Sequence, residues 1–276
     1  MKKLENKVVI ITGAASGIGK QLAIRCAEEG ANLAICSRTE AKLLDTKRIC
    51  EEKGVSVFAM ALDIRNYDDL VKFVEGTVAQ FGTIDALVNN AHTITRPAPF
   101  MMKTIEDLDT EMQSSVYAYW HLMKLCYPYL KDKPGAGASI VNFASEAGII
   151  GSANYAPYAA AKEAVRGLSR VVAREWGPNN IRVNTLCPNG LTDNIGDLNS
   201  LGEDIREMVK SAFVNNPFHR AGDPYEDVAP AVVFLMTAGG SPGKTSTRTA
   251  VSLSTHNRMG DCKCDGTAIT HLCFIT

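Results

Sequence analysis

The stretch Val8-Val9-Ile10-Ile11-Thr12-Gly13-Ala14-Ala15-Ser16-Gly17-Ile18-Gly19 decides how this chain folds. Its β-branched opening reads as a strand buried on both faces, the kind a parallel sheet requires. Glycines then let the backbone turn sharply, and a helical pattern starts at Gly17. In such a strand–turn–helix the backbone approaches a pyrophosphate closely, and the helix N-terminus holds the negative charge. Gly13, Ser16, Gly17, Ile18 and Gly19 are therefore expected to bind a dinucleotide. The glycines alone would also suit a ligand-free βα turn; strand, glycines and helix in that order favour the dinucleotide.

The same alternation continues outward. Residues 8–12, 32–37, 56–61, 86–89, 139–144 and 181–187 read as buried strands. Helical patterns lie between them over 17–29, 39–53, 66–81, 104–130 and 155–176, with another at 227–236. Thr39 and Asn66 stand where N-caps belong, and Gly30, Gly54 and Gly177 where helices end. Repeated β-α-β predicts an α/β fold, a doubly wound parallel sheet of Rossmann type in a single domain. Residues 1–236 hold that catalytic domain, and residues 237–276 form an atypical tail.

Composition narrows the function. A net charge of -1 over 276 residues gives no basic footprint for nucleic acid and no polybasic patch for a membrane surface. Hydrophobic content of 46% with 21% charged residues describes a globular chain with a sizeable core. The apolar run after Lys2 and Lys3 is too short for a signal peptide, and no stretch approaches the roughly 20 apolar residues of a membrane span. A cytoplasmic location is expected. No metal is expected either: Cys26, Cys36, Cys50, Cys126 and Cys187 are scattered singly, and Cys262, Cys264 and Cys273 lack paired C-x-x-C spacing.

Thr12-Gly13 with Gly17-Ile18-Gly19, Asp63-Ile64 after the third strand and Asn89-Asn90-Ala91 after the fourth resemble the short-chain dehydrogenase/reductase family, over roughly residues 5–236. The resemblance implies that Asp63, followed by Ile64, contacts the adenine. It also implies that Asn90 and Ala91 support the central strand and the cofactor. A site for NAD usually carries a carboxylate about 20 residues after the glycines, on the ribose 2′-OH. Ser37 and Arg38 occupy that place here. A hydroxyl and a guanidinium suit a 2′-phosphate that a carboxylate would repel, so NADP(H) is favoured over NAD(H). The competing reading of Arg38 is a solvated surface arginine.

Tyr158-Ala159-Ala160-Ala161-Lys162 places a phenol and an ammonium on one helix face at i,i+4. A phenol titrates near 10 and is a poor base at neutral pH; an ammonium one turn away favours its phenolate. Tyr158 can then give a proton to a carbonyl oxygen in reduction, or take one from an alcohol in oxidation. Ser145, thirteen residues earlier and just past the fifth strand, is placed to hydrogen-bond the substrate oxygen. The resemblance adds that Lys162 bonds the nicotinamide ribose.

Three positions depart from the family pattern. The family usually carries an asparagine in the long helix before the fifth strand, supporting a water relay to the lysine. Aligning Lys124 and Pro128 with the usual pattern puts Ser115 there, and a serine still bonds water or a backbone carbonyl. The usual N-N-A-G continues here as Asn90-Ala91-His92, and His92 is either a substrate contact or a surface histidine. After the sixth strand the usual Pro-Gly reads Pro188-Asn189-Gly190, which leaves Pro188 and Thr192 to line the nicotinamide carboxamide. Met101, Met102, Ile150, Tyr155 and Phe213 suit a substrate pocket or the core equally well.

The family normally ends in an I-T-G turn, a last strand and D-G-G, whereas the chain from Thr237 is rich in Thr, Ser, Gly and Cys. Reading the last base of each codon with the first two of the next, starting at Thr237, the degenerate code permits Asp-Ser-Arg-Trp-Ile-Thr-Gly-Gln-Asn-Ile, one free residue, then Thr-Asp-Gly-Gly. A frameshift is the reading this favours. The other is that residues 249–254, T-A-V-S-L-S, supply a strand by their alternation. Together these features predict a homodimeric or homotetrameric oxidoreductase moving a hydride between a nicotinamide and a ketone or secondary alcohol. The alternative is a nucleotide-binding relative without catalysis, acting as a sensor or partner. Ser115 and the tail favour it, and the intact Ser145, Tyr158 and Lys162 oppose it.

Overall fold

The computed structural model describes residues 2–188 and 222–237, together with the backbone of 251–252 and 273–274. Six strands, β1 (Val8–Thr12), β2 (Asn32–Ser37), β3 (Val57–Ala61), β4 (Ala86–Asn89), β5 (Ala138–Phe143) and β6 (Ile181–Cys187), form a parallel sheet in the order β3-β2-β1-β4-β5-β6. Every residue of β1, β4 and β5 is buried. Burial on both faces is why these central strands carry apolar runs rather than alternation. Two residues of the 249–254 stretch, Val251–Ser252 (β7), lie parallel to Leu186 and Cys187 of β6, and Cys273–Phe274 (β8) pairs antiparallel with them.

Helices cover both faces. Leu22 and Cys26 of α1 (Gly17–Glu28) and Leu43 of α2 (Glu40–Glu51) share one core cluster with Val232 and Val233 of the C-terminal helix Ala229–Thr237. Phe73 of α3 (Tyr67–Phe81), Leu122 of α5 (Ala118–Leu130) and Val165 of α7 (Ala156–Trp176) build the other. Asn66 caps α3 as expected, its side chain accepting the Asp68 and Asp69 N–H groups. Thr39 takes the N-cap position of α2 without a side-chain bond. Gly177 does not end α7 in a left-handed turn: the chain tightens into a 3-10 turn, and Asn180, at φ +58°, makes the left-handed stop.

The helix expected over 104–130 is broken in the middle. α4 (Ile105–Met112) starts with a capping box between Thr104 and Asp107, a π turn spans Gln113–Tyr117, and α5 follows. A short helix the sequence did not announce, α6 (Glu146–Ile150), begins at Ser145. Beneath it the Asn89 amide donates to Asn142 Oδ1 at 2.8 Å and the Asn142 amide donates to Ser169 Oγ at 2.9 Å. This buried bridge fixes α7 against β4 and β5. The C-terminal helix, numbered α8, is tied to the sheet from below, where Arg182 donates to the carbonyls of Leu235 and Met236.

Candidate active site

Strand order reverses between β1 and β4, so the crevice beyond their C-terminal ends is the place where such sheets bind ligands. The glycine turn lies there. Gly13 and Gly17 adopt φ of +73° and +54°, which side-chain-bearing residues rarely do. A Cβ on Gly19 would meet Gly13 O at 2.2 Å and the Asn90 amide nitrogen at 2.7 Å. The Asn90 amide donates to Thr12 O at 2.9 Å, while Thr12 Oγ1 accepts the backbone N–H of Asn90 and of Ala91, each at 3.0 Å. These bonds staple the end of β4 to the turn. Ser16 is the extended N-cap of α1, and Ile18 anchors the first helical turn on the core. A close-packed glycine turn feeding a helix N-terminus fits a dinucleotide pyrophosphate.

Ser37 ends β2 half-buried, with Arg38 exposed beside it. Asp63 accepts from Arg65 through Nε and Nη2, the latter at 2.6 Å. The Arg65 guanidinium holds the Asp63 carboxyl below its usual range, and Arg38 adds to the effect. Ile64 is buried next to it. The end of β2 thus presents a hydroxyl and cations, with the nearby carboxylate already neutralised.

The reacting groups come from β5 and α7. Ser145 leaves the end of β5 in extended backbone, its Oγ accepting the Ala147 N–H at 3.2 Å and hydrogen-bonding Tyr158. Tyr158 stands in the first turn of α7 and Lys162 one turn further, with Nζ 5.7 Å from the Tyr158 ring centroid. Lys162 is buried and donates to Phe143 O at 2.9 Å. Burial pushes the Tyr158 phenol up to about 12, against the opposing bond from Ser145. Burial likewise pushes Lys162 down to about 8, with Glu111 opposing. Desolvation is thus the largest influence on the phenol in the folded cleft, and the Ser145 bond is what opposes it.

Two rings flank that phenol. His92 lies 5.5 Å from Tyr158 and Tyr155 lies 6.2 Å away, both centroid to centroid. His92 is exposed as a residue, and desolvation of its ring with the Lys162 charge nearby lowers its pKa. It is a neutral imidazole. Met101, Met102 and Ile150 are exposed and so do not belong to the core. Pro188 closes β6 half-buried, while Thr192 and Phe213 lie outside the described residues.

Ser115 is buried in the π turn, and its Oγ has no protein partner. Its helical neighbours at i-4 and i+4, Glu111 and Tyr119, are buried too and leave Oε2 and the phenolic oxygen unmet. Glu111 was not singled out from the sequence, where an acidic residue on an amphipathic helix reads as solvated. The i, i+4, i+8 spacing with Ser115 and Tyr119 was the available signal. Among the described residues no cluster of His, Cys, Asp and Glu is arranged to hold a metal, and no helix is long and apolar enough to cross a membrane.

Comparison with known proteins agrees with this geometry. The model of the short chain dehydrogenase family matches residues 7–199. The 12alpha-hydroxysteroid dehydrogenase of Clostridium sp. is 41% identical over 249 residues, covering 86% of this chain and 91% of that protein. The 3-oxoacyl-[acyl-carrier-protein] reductase of Thermotoga maritima is 35% identical, covering 84% and 91%. Carveol dehydrogenase from Mycobacterium avium, solved in complex with NAD, superposes with a TM-score of 0.81 at 26% identity over 92% of this chain and 99% of that one. The chain therefore belongs to the short-chain dehydrogenase/reductase family and is an NAD(P)-dependent oxidoreductase acting on CH–OH and C=O groups.

Proposed function

We propose that Ser145, Tyr158 and Lys162 carry this oxidoreduction, with NADP(H) preferred over NAD(H) and a ketone or secondary alcohol on a bulky apolar framework as substrate. The observation that carries the reading is the meeting of three groups: the Tyr158 phenol hydrogen-bonded to Ser145 past β5, with Lys162 one turn further along α7 and its Nζ 5.7 Å from the phenol ring. A bound nicotinamide supplies the hydride in reduction and accepts it in oxidation. Ser145 and Tyr158 converge on the substrate oxygen, and Tyr158 delivers the proton that accompanies reduction. Lys162 holds the ribose hydroxyls, and its charge opposes the cost of phenolate formation. Gly13, Ser16, Gly17, Ile18 and Gly19 cradle the pyrophosphate. Asn90 and Ala91 shape the nicotinamide side, and Asp63 and Ile64 the adenine side. Pro188 and Thr192 line the carboxamide, and Ser115 supports Lys162 through water.

The NADP(H) preference rests on Ser37 and Arg38 at the end of β2 and on the absence of a carboxylate at that strand end. The substrate class rests on the rings of His92 and Tyr155 beside the phenol, and on similarity to a hydroxysteroid dehydrogenase. A cytoplasmic homodimer or homotetramer completes the reading. The test is oxidation of NADPH and of NADH by purified protein over oxo-steroids, small ketones and 3-oxoacyl thioesters, beside Tyr158→Phe. Turnover with oxo-steroids and NADPH, abolished in the variant, is the expected result. Turnover that survives in Tyr158→Phe would sink the catalytic assignment, and equal use of NADH would sink the cofactor preference.

We further propose that residues 237–276 are the product of a frameshift that replaced the family ending after a catalytic domain of residues 1–236. The alternative frame, with its Ile-Thr-Gly and Asp-Gly-Gly in the right order and distance, supports this. Sequencing the coding DNA around codon 236 decides it: a reading frame that cannot encode that ending removes the idea.

A further inference from the structure

Among the described residues only two of charged type are fully buried, Glu111 and Lys162. The oxidoreductase reading uses Lys162 and leaves Glu111 without a task. Burying a carboxylate is costly unless it is bonded or neutralised, so its surroundings show what keeps it there. One oxygen, Oε1, accepts the Thr95 N–H at 2.6 Å and the Thr95 hydroxyl at 3.1 Å. The other, Oε2, is buried with no protein partner. Two cations face the group from separate elements, Lys162 on α7 and Lys103 in the turn before α4, and both draw its carboxyl down while burial raises it. The coupling is mutual: Glu111 raises both Lys162 and the Tyr158 phenol. His92, Cys187 on β6, whose thiol burial pushes up to about 11, and the Tyr119 phenol, which burial raises, also face that pair.

The unmet oxygens recur at a helical spacing. Glu111 Oε2 on α4, Ser115 Oγ in the π turn and the Tyr119 phenolic oxygen at the start of α5 fall at i, i+4, i+8, and α4 and the π turn pack against α7. Lys162 Nζ lies 5.5 Å from the Tyr119 ring centroid. Buried polar atoms without protein partners are the sites that hold ordered water, and Tyr119 at one end of this set lies against the buried Lys162 ammonium. On the far side the chain of bonds continues outward. Lys103 Nζ donates to Thr95 Oγ1 at 2.9 Å and stands 3.8 Å from the partly exposed Asp107 carboxylate.

We propose that Glu111 is the proton-exchanging end of a relay that serves Lys162, with Ser115 and Tyr119 holding the intervening water and Thr95 and Lys103 leading to solvent. Each alcohol oxidised releases a hydride from carbon to the oxidised nicotinamide and one proton from the hydroxyl. As Tyr158 takes that proton it gives up its own phenolic proton to the ordered water beside the Lys162 ammonium, and the Glu111 carboxylate receives it and passes it to solvent. Reduction runs the same path inward. A carboxylate one turn before Ser115 thereby adds an ionisable group that the serine itself lacks. Glu111 acts through Lys162 and is a positioning residue in the sense that it touches neither substrate nor cofactor.

This inference rests on the Ser145–Tyr158–Lys162 reading, and its tests separate the two. In Glu111→Gln, which keeps the shape and an acceptor for Thr95, kcat of alcohol oxidation at pH 7 falls about tenfold. KM and cofactor affinity hold, and the acid limb that reports the Glu111 carboxyl is lost from the pH profile. Glu111→Asp restores the limb in part. Independently of turnover, the 13C-carboxyl resonance of Glu111, assigned by its loss in Glu111→Gln, titrates above the ordinary glutamate range. In Lys162→Met its midpoint rises by on the order of one pH unit, because the ammonium that holds it down is gone. A Glu111→Gln profile that superposes on the wild type, or a Glu111 resonance indifferent to Lys162, overturns the relay while Tyr158→Phe remains inactive. Activity surviving in Tyr158→Phe overturns the underlying reading instead.

Discussion

Lys162 is held between opposing effects, and its protonation sets the pH range of the site. Burial brings it down to about 8, so the ammonium is present below that pH and lost above it. Ketone reduction, which needs the ammonium beside Tyr158, is expected to hold its kcat from neutral pH to about 8 and to decline beyond. A profile flat to pH 10 would contradict the assignment. The second residue-scale expectation concerns Arg38, which the sequence placed at the 2′-phosphate. Arg38→Ala raises KM for NADPH by roughly tenfold, the loss of about one charge-assisted bond, and leaves KM for NADH nearly unchanged. Equal effects on both cofactors would mean a solvated arginine. The partnership of Tyr158 and Lys162 was legible in the sequence, because i,i+4 residues share a helix face in any surroundings. The direction of the Tyr158 shift was not. Desolvation depends on atoms contributed by α4, α5 and β6, which local spacing does not report.

At the scale of elements, the glycine turn is the piece with least tolerance. A Cβ on Gly19 would fall 2.2 Å from Gly13 O, and neither backbone segment can retreat without breaking the staple from Asn90. Gly19→Ala is therefore expected to abolish tight NADPH binding while leaving much of the helical circular dichroism in place, as equilibrium dialysis and spectra on the same sample would show. Asn66, by contrast, serves only α3. Asn66→Ala removes the acceptor for two N–H groups and costs about 1 kcal/mol in denaturant unfolding, without altering kcat. The strands and most helices were readable because their burial imposes apolar runs and caps. The π turn at Gln113–Tyr117 was not, since Gln-Ser-Ser-Val-Tyr carries no glycine or proline to mark a break within 104–130. α6 escaped for a simpler reason: Glu146–Ile150 is too short to show a period.

Across the whole molecule, the C-terminal helix is held by contacts far apart in sequence. Arg182 on β6 donates to the carbonyls of Leu235 and Met236, and Ser139 on β5 donates to Leu235 as well. These bonds satisfy the last carbonyls of α8, which its own helix cannot. Arg182→Ala is expected to lower unfolding stability by about 2 kcal/mol and to speed amide exchange in residues 229–237. Unchanged exchange there would show that packing of Val232 and Val233 alone secures the helix. By itself the sequence determined the order of the six parallel strands, the glycine turn and the Tyr158–Lys162 pair. Each is a local pattern, imposed by burial or by helix geometry on neighbouring residues. Only the tertiary structure decided that Glu111 is buried within reach of the Lys162 charge and that desolvation raises the Tyr158 phenol. Those outcomes are sums of desolvation and charge over elements that meet only when the sheet has closed and α4, α5 and α7 have packed against it.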